Sequence, residues 1–145
     1  MLLLTNLIAP ISTNGTATVM LSYTEAKKLL PVATAATCEA LTLADKLELD
    51  REAMFDIVST SSGHNWSINS YCPAPGVGPK APSNNSYTHG FSSDLMLKDL
   101  TLSQNAANET KASTPMGHLE IKLYKDFVEN ENRSGLDFSA IIKTL

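Results

Sequence analysis

The chain has 145 residues, 43% of them apolar and 18% charged, with a formal net charge of -4. That length and mix suit one domain with its own core and exclude a disordered chain. The mildly acidic balance offers no basic stripe for phosphate, so nucleic acid is not an expected partner.

The opening stretch, "MLLLTNLIAPIS", is apolar but carries no basic leader charges, and Pro10 cuts it short. It is too short to span a bilayer, and it lacks the pattern of a signal peptide or an Arg-rich presequence, so no membrane association is expected. Met1 to about Ser22 shows no clean period and receives no element. From Tyr23 the pattern changes. "YTEAKKLL" and then "PVATAATCEALTLADKLELD" are rich in Ala, Leu, Lys and Glu and predict helix, with Val32, Ala36, Ala40, Leu43 and Leu47 near one face. Pro31 either starts a helix in its first turn or kinks a longer one. Asp50 stands at an N-cap position for "REAMFDIVSTS", and Gly63 is expected to end that helix.

Gly63 to Gly90 predicts a long loop, with four prolines, the "GVG" of Gly76–Gly78 and an Asn/Ser cluster. Trp66, Tyr71 and Tyr87 are expected to anchor it by burying their rings. Ser92 or Ser93 then caps a helix running to about Lys111. On it Phe91, Leu95, Lys98, Leu102 and Ala106 fall in one stripe, while Met96, Leu97 and Leu100 make a second apolar face, which predicts a central, buried helix. "TPMGHLEIKLYKDFVENEN" predicts another helix with Met116, Leu119, Leu123 and Phe127 as its stripe, and "GLDFSAIIKTL" a short last one. No alternating strand pattern with hairpin turns is present. The expected fold class is all-α, a domain of several packed helices.

Little chemistry is legible in the spacing. No G-x-G-x-x-G fingerprint occurs, and the Gly76–Gly78 pair, flanked by prolines, makes a turn rather than a phosphate cradle. His64, His89 and His118 have no metal-ligand spacing, so no metal site is expected. There is no G-x-S-x-G elbow. Cys38 and Cys72 form neither a metal spacing nor a disulfide framework and suit reduced thiols in an intracellular compartment. Cys72 has nothing nearby to lower its pKa. Asp45, Glu48 and Asp56 suit solvated helix charges. The five N-x-S/T triplets, at Asn14, Asn65, Asn84, Asn108 and Asn132, match by chance in the absence of a leader. Lys98 is different. A lysine on an apolar stripe must snorkel, pair with Asp94 or Asp99, or point into a cleft toward an anionic ligand or cofactor.

Four blocks carry a family resemblance: "EALTLADKLELD" (Glu39–Asp50), "STSSGHNWSINSYCPAPGV" (Ser59–Val77), "PSNNSYTHGF" (Pro82–Phe91) and "LMLKDLTLSQNAA" (Leu95–Ala107). With the tail "LDFSAIIKTL", residues from about Pro31 to Leu145 resemble the C-terminal domain of 3-hydroxyisobutyrate dehydrogenase, in the β-hydroxyacid dehydrogenase family. His64 stands where that family usually has arginine, and Cys72 where it usually has asparagine. The resemblance divides the chain into a divergent segment, 1–22, and an all-α domain, 23–145, like those of 6-phosphogluconate and β-hydroxyacid dehydrogenases.

It implies a partner Rossmann domain that binds NAD, a small β-hydroxyacid substrate, and a homodimer built on the helical domain. The implied reaction oxidises 3-hydroxyisobutyrate to methylmalonate semialdehyde in valine breakdown, in mitochondria in a eukaryote and otherwise in the cytoplasm. It implies that Lys98, in the "LM-x-KDL" block, contacts the cofactor, with Phe91 near the same cleft. It implies no catalytic residue in this chain. Counting back from "LELD" puts Tyr23 where the family has its acid/base lysine, and Ala26 and Lys27 on the two asparagines of its K-x-x-N-N pattern. Lys27 or Lys28 could serve only with a register shift. The chain alone is therefore expected to be an inactive, truncated form or fragment, or alternatively a non-catalytic helical interaction module.

Overall fold

Asp50 illustrates how local sequence sets the elements. Its Oδ1 accepts from the amide of Ala53 at 2.8 Å, as expected of a cap, and helix α2 (Arg51–Thr60) follows. The computed structural model describes residues 23–130 and 132–145, with side chains from Lys28 onward. The divergent segment 1–22 lies outside the described residues. The described fold is all-helical, with no strand and a single isolated antiparallel bridge between Ser92 and Asp137.

Helix α1 (Tyr23–Lys46) runs unbroken through Pro31, so that proline lies inside a longer helix. A four-residue helix, α3 (Trp66–Asn69), is capped by Asn65, whose Oδ1 accepts from the Ile68 amide at 3.2 Å. Helix α4 (Ser93–Thr110) ends on Lys111 in the left-handed region. Ser92 holds its N-cap position without a side-chain bond, and the Ser93 hydroxyl instead donates to the Leu136 carbonyl at 3.0 Å. Helix α5 (Pro115–Lys125) passes into a π turn at Asp126–Asn130. A 3-10 helix, Phe138–Lys143, closes the chain behind the Asp137 cap. Helices α1, α4 and α5 pack on one another, and the last 3-10 helix lies against α1 and α4.

Several sequence expectations need correction. Gly63 does not end α2, because the helix stops at Thr60 and the Ser61 amide donates to the Val58 carbonyl. The 63–90 segment is not all loop, since it holds α3 and a 3-10 turn at Pro82–Asn85. Of its three proposed anchors, Tyr87 is buried and Tyr71 half-buried, but Trp66 is 51% exposed. The "GVG" turn is as expected, with φ of +80° at Gly76 and +67° at Gly78. A Cβ on Gly78 would also meet the Phe55 ring at 2.6 Å.

The larger corrections concern which helical face is inside. On α1 the buried face is Pro31, Thr34, Ala35, Thr37, Cys38, Leu41 and Ala44, whereas Ala36, Ala40 and Leu43, and Leu47 just past the helix, are exposed. Small residues are inside because the neighbours come close. The Thr34 hydroxyl bonds that of Ser67 on α3 at 2.8 Å, and it donates to the Leu30 carbonyl at 2.9 Å. On α5 the buried set is Gly117, Glu120 and Tyr124, continued by Phe127, while Met116 and Leu119 face out. The core has two clusters. One gathers Cys38, Met96, Leu100, Tyr124, Phe127, Phe138 and Ile141, and the other Leu41, Cys72, Ala74 and Val77. Both cysteines are free and buried, and burial above all raises both thiol pKa values.

Candidate functional site

Both residues singled out above lie at the start of α4, Lys98 within it and Phe91 just before it. Phe91 precedes the helix and is fixed by its backbone. Its amide donates to Asp137 Oδ2 at 2.8 Å, and its carbonyl accepts from the Phe138 amide at 2.8 Å. The ring is half-buried and meets Phe138 edge-on, with centroids 6.3 Å apart. Asp137 is wholly buried and central to this corner. It also accepts from the Tyr71 hydroxyl at 2.8 Å and from the Ser139 amide at 3.0 Å. Burial and the Asp137 bond together raise the Tyr71 phenol above its ordinary value. Gly90 makes the corner possible, because a Cβ there would collide with the Asp137 carboxyl. Tyr71 stacks between Trp66 and Phe138, with centroids 4.9 Å and 5.4 Å away. The block between Ser59 and Val77 is thereby tied to the start of α4.

Lys98 lies five residues into α4, about 7.5 Å of rise from its first residue. It is exposed, and so are Leu95 and Leu102 on the same stripe, at 45% and 39%. The buried stripe is Ser93, Met96, Leu100, Ser103 and Ala107. The expectation of a central, buried helix therefore holds for one face only. No hydrogen bond or ion pair among the described residues holds Lys98, to Asp94 or Asp99 included. The unusual feature is now its apolar flanks: a cation between two outward leucines suits a surface that another molecule covers.

Lys28 is already engaged. Its Nζ donates to Gln104 Oε1 on α4 at 3.4 Å, and its stem crosses α5 at Gly117, where a Cβ would collide with it. The side chains of Tyr23, Ala26 and Lys27 lie outside the described ones. Among the described residues no group of three or more His, Cys, Asp or Glu could hold a metal, and His64, His89 and His118 are all exposed. No described helix is long and apolar enough to cross a membrane.

Residues 26–145 match the family described as "NAD-binding of NADP-dependent 3-hydroxyisobutyrate dehydrogenase". This chain belongs to that family. The match begins five residues before Pro31, so the family-like region reaches further up α1 than the resemblance suggested. The chain is 43% identical over 116 residues to a 3-hydroxyisobutyrate dehydrogenase of Pseudomonas aeruginosa, covering 79% of this chain and 39% of that protein. It is 38% identical over 117 residues to the mitochondrial 3-hydroxyisobutyrate dehydrogenase of Homo sapiens, covering 81% of this chain and 34% of that protein. The solved structure of 3-hydroxyisobutyrate dehydrogenase from Mycobacterium tuberculosis with L-serine superposes with a TM-score of 0.79. That pair is 37% identical and covers 83% of this chain and 41% of the other. The chain thus spans about two fifths, or less, of these relatives' length. The family is NAD-binding, and its known members include bacterial and mitochondrial proteins.

Proposed function

We propose that residues 23–145 form the C-terminal helical domain of a β-hydroxyacid dehydrogenase, the wall of an NAD site that closes against a Rossmann domain. The reading rests on the exposed Leu95–Lys98–Leu102 face of α4 in a chain of an NAD-binding family. Lys98 is the residue we assign to cofactor contact: its exposed ammonium suits an oxygen of NAD, and in a closed, poorly hydrated site that attraction strengthens. Phe91, pinned at both backbone groups, forms part of the same wall. When bound, NAD accepts the hydride from the hydroxyl-bearing carbon of the substrate. We take that substrate to be 3-hydroxyisobutyrate, oxidised to methylmalonate semialdehyde in valine breakdown.

No residue of this chain is assigned as the acid/base. Tyr23 occupies the position expected for the lysine, and Lys28 is hydrogen-bonded to Gln104. The 145-residue chain alone is therefore expected to reduce no NAD with 3-hydroxyisobutyrate. The test is calorimetric titration of NAD into the chain, with and without a family Rossmann domain added in trans. Binding that appears or tightens on addition, and that Lys98→Ala weakens about tenfold, supports the reading. Equal heats with parent and Lys98→Ala refute it, as does turnover by the chain alone.

A second reading draws on the outward Leu29, Leu43, Leu95 and Leu119: a helical module that pairs with a second copy and catalyses nothing. Light scattering after size exclusion separates the two, because a stable dimer that ignores NAD favours the module.

A further inference from the structure

A hollow of about 510 Å³ opens where the end of α1, the start of α2 and the last 3-10 helix meet. Three cations line it, Lys46, Arg51 and Lys143, against the Asp45 side chain and Leu145, the last residue, which carries the terminal carboxylate. This is a positive concentration in a chain whose net charge is -4. Arg51 clasps Asp45 side-on: Nε donates to Oδ1 at 2.6 Å, and a terminal nitrogen donates to Oδ2. That uses two of the five N–H donors of a guanidinium and leaves three for another acceptor. The clasp also holds the guanidinium in place between α1 and α2. Lys143 is steadied differently, its ammonium resting 4.4 Å from the centre of the Tyr87 ring. Tyr87 is itself fixed, because its hydroxyl donates to the Pro73 carbonyl at 2.8 Å. Tyr87 and Ile142 give the hollow an apolar wall beside these cations. The volume is that of small-molecule sites, and a few charged groups on an apolar wall are their usual lining.

We propose that this hollow binds a small organic anion with a carboxylate or phosphate head on a short apolar body. The open donors of Arg51 and the Lys143 ammonium hold the head, Lys46 adds to the local positive field, and the body lies against Tyr87 and Ile142. No residue of α4 lines the hollow, so the site is separate from the Lys98 face and does not depend on the dehydrogenase reading.

The test is amide NMR of the 145-residue chain at constant ionic strength, titrated with butyrate and, separately, with inorganic phosphate. The expected result is saturable shifts at Tyr87, Ile142 and Lys143. Lys143→Ala should weaken them about tenfold. Arg51→Lys, which keeps a cation beside Asp45 but removes the fork, guards against loss of fold and should weaken them by a similar factor. Saturation by butyrate alone assigns a carboxylate head, and by phosphate alone a phosphate head. Shifts that never saturate with either anion, or that are as large at Lys122 and Lys125 on α5, overturn the proposal. Affinities unchanged in both variants overturn it too.

Discussion

Asp137 accepts from four donors, the Tyr71 hydroxyl, the Phe91 amide, and the amide and hydroxyl of Ser139. Removing it would leave these four donors, on three buried or half-buried residues, without their acceptor and unfasten Phe91 from the last 3-10 helix. Asp137→Ala is therefore expected to cost about 2–4 kcal/mol, measured by urea denaturation. Glu120 is the opposite case. It is 3% exposed, and its Oε1 has no hydrogen-bond partner. Burial, with a lesser contribution from Glu39, pushes its carboxyl up to about 8 from an ordinary 4.5. Between those two values the unfolded chain releases a proton that the folded chain keeps, so stability falls as pH rises through that window. Glu120→Gln should flatten the slope and gain a few kcal/mol at pH 8, read as the difference between parent and variant melts at pH 5 and pH 8. Nothing in the local sequence singles out Glu120. Its burial follows from a rotation of α5 that no local feature encodes.

The helices were legible as elements because capping, propensity and breakers act within a few residues. Asp50 capped α2 as expected, Lys111 closed α4, and Pro31 stayed inside a long helix. Their faces were not legible. Leu43 of α1 and Leu47 just past its end, and Met116 and Leu119 of α5, looked like core and point outward, at 50–61% exposure. Two apolar stripes of similar strength lie on one helix, and periodicity gives no sign of which is inside. A paired substitution tests the assignment. Leu41→Ala, at a fully buried position, should cost about 2–5 kcal/mol, whereas Leu43→Ala, on the outward face, should stay within about 0.5 kcal/mol of the parent. Equal costs in urea melts would mean that the face is wrongly placed. On α4 the same ambiguity misplaced Lys98. Its stripe was read as buried, which made the lysine an anomaly, and outward placement moves the anomaly to Leu95 and Leu102.

Across the whole molecule, the exposed large apolar side chains come from every long helix: Leu29 and Leu43 on α1, Ile57 on α2, Leu95 and Leu102 on α4, Met116 and Leu119 on α5. Single exposed leucines are ordinary, but so many on so short a chain are expected to promote association. Replacing Leu29, Leu43 and Leu95 together with Gln should leave the melting midpoint nearly unchanged and reduce self-association in light scattering at high concentration. A large drop in the midpoint would place those residues in the core instead. The sequence by itself determined the helical class, the Asp50 cap and membership of an NAD-binding family, because local propensity and long ordered blocks of residues survive without coordinates. Tertiary structure alone decided which stripe of each helix is core, that Asp137 joins Tyr71 to Phe91, that Lys28 is held by Gln104, and that Lys46, Arg51 and Lys143 share one hollow. Those facts depend on the rotation and approach of segments far apart in the chain, and helical periodicity does not specify either.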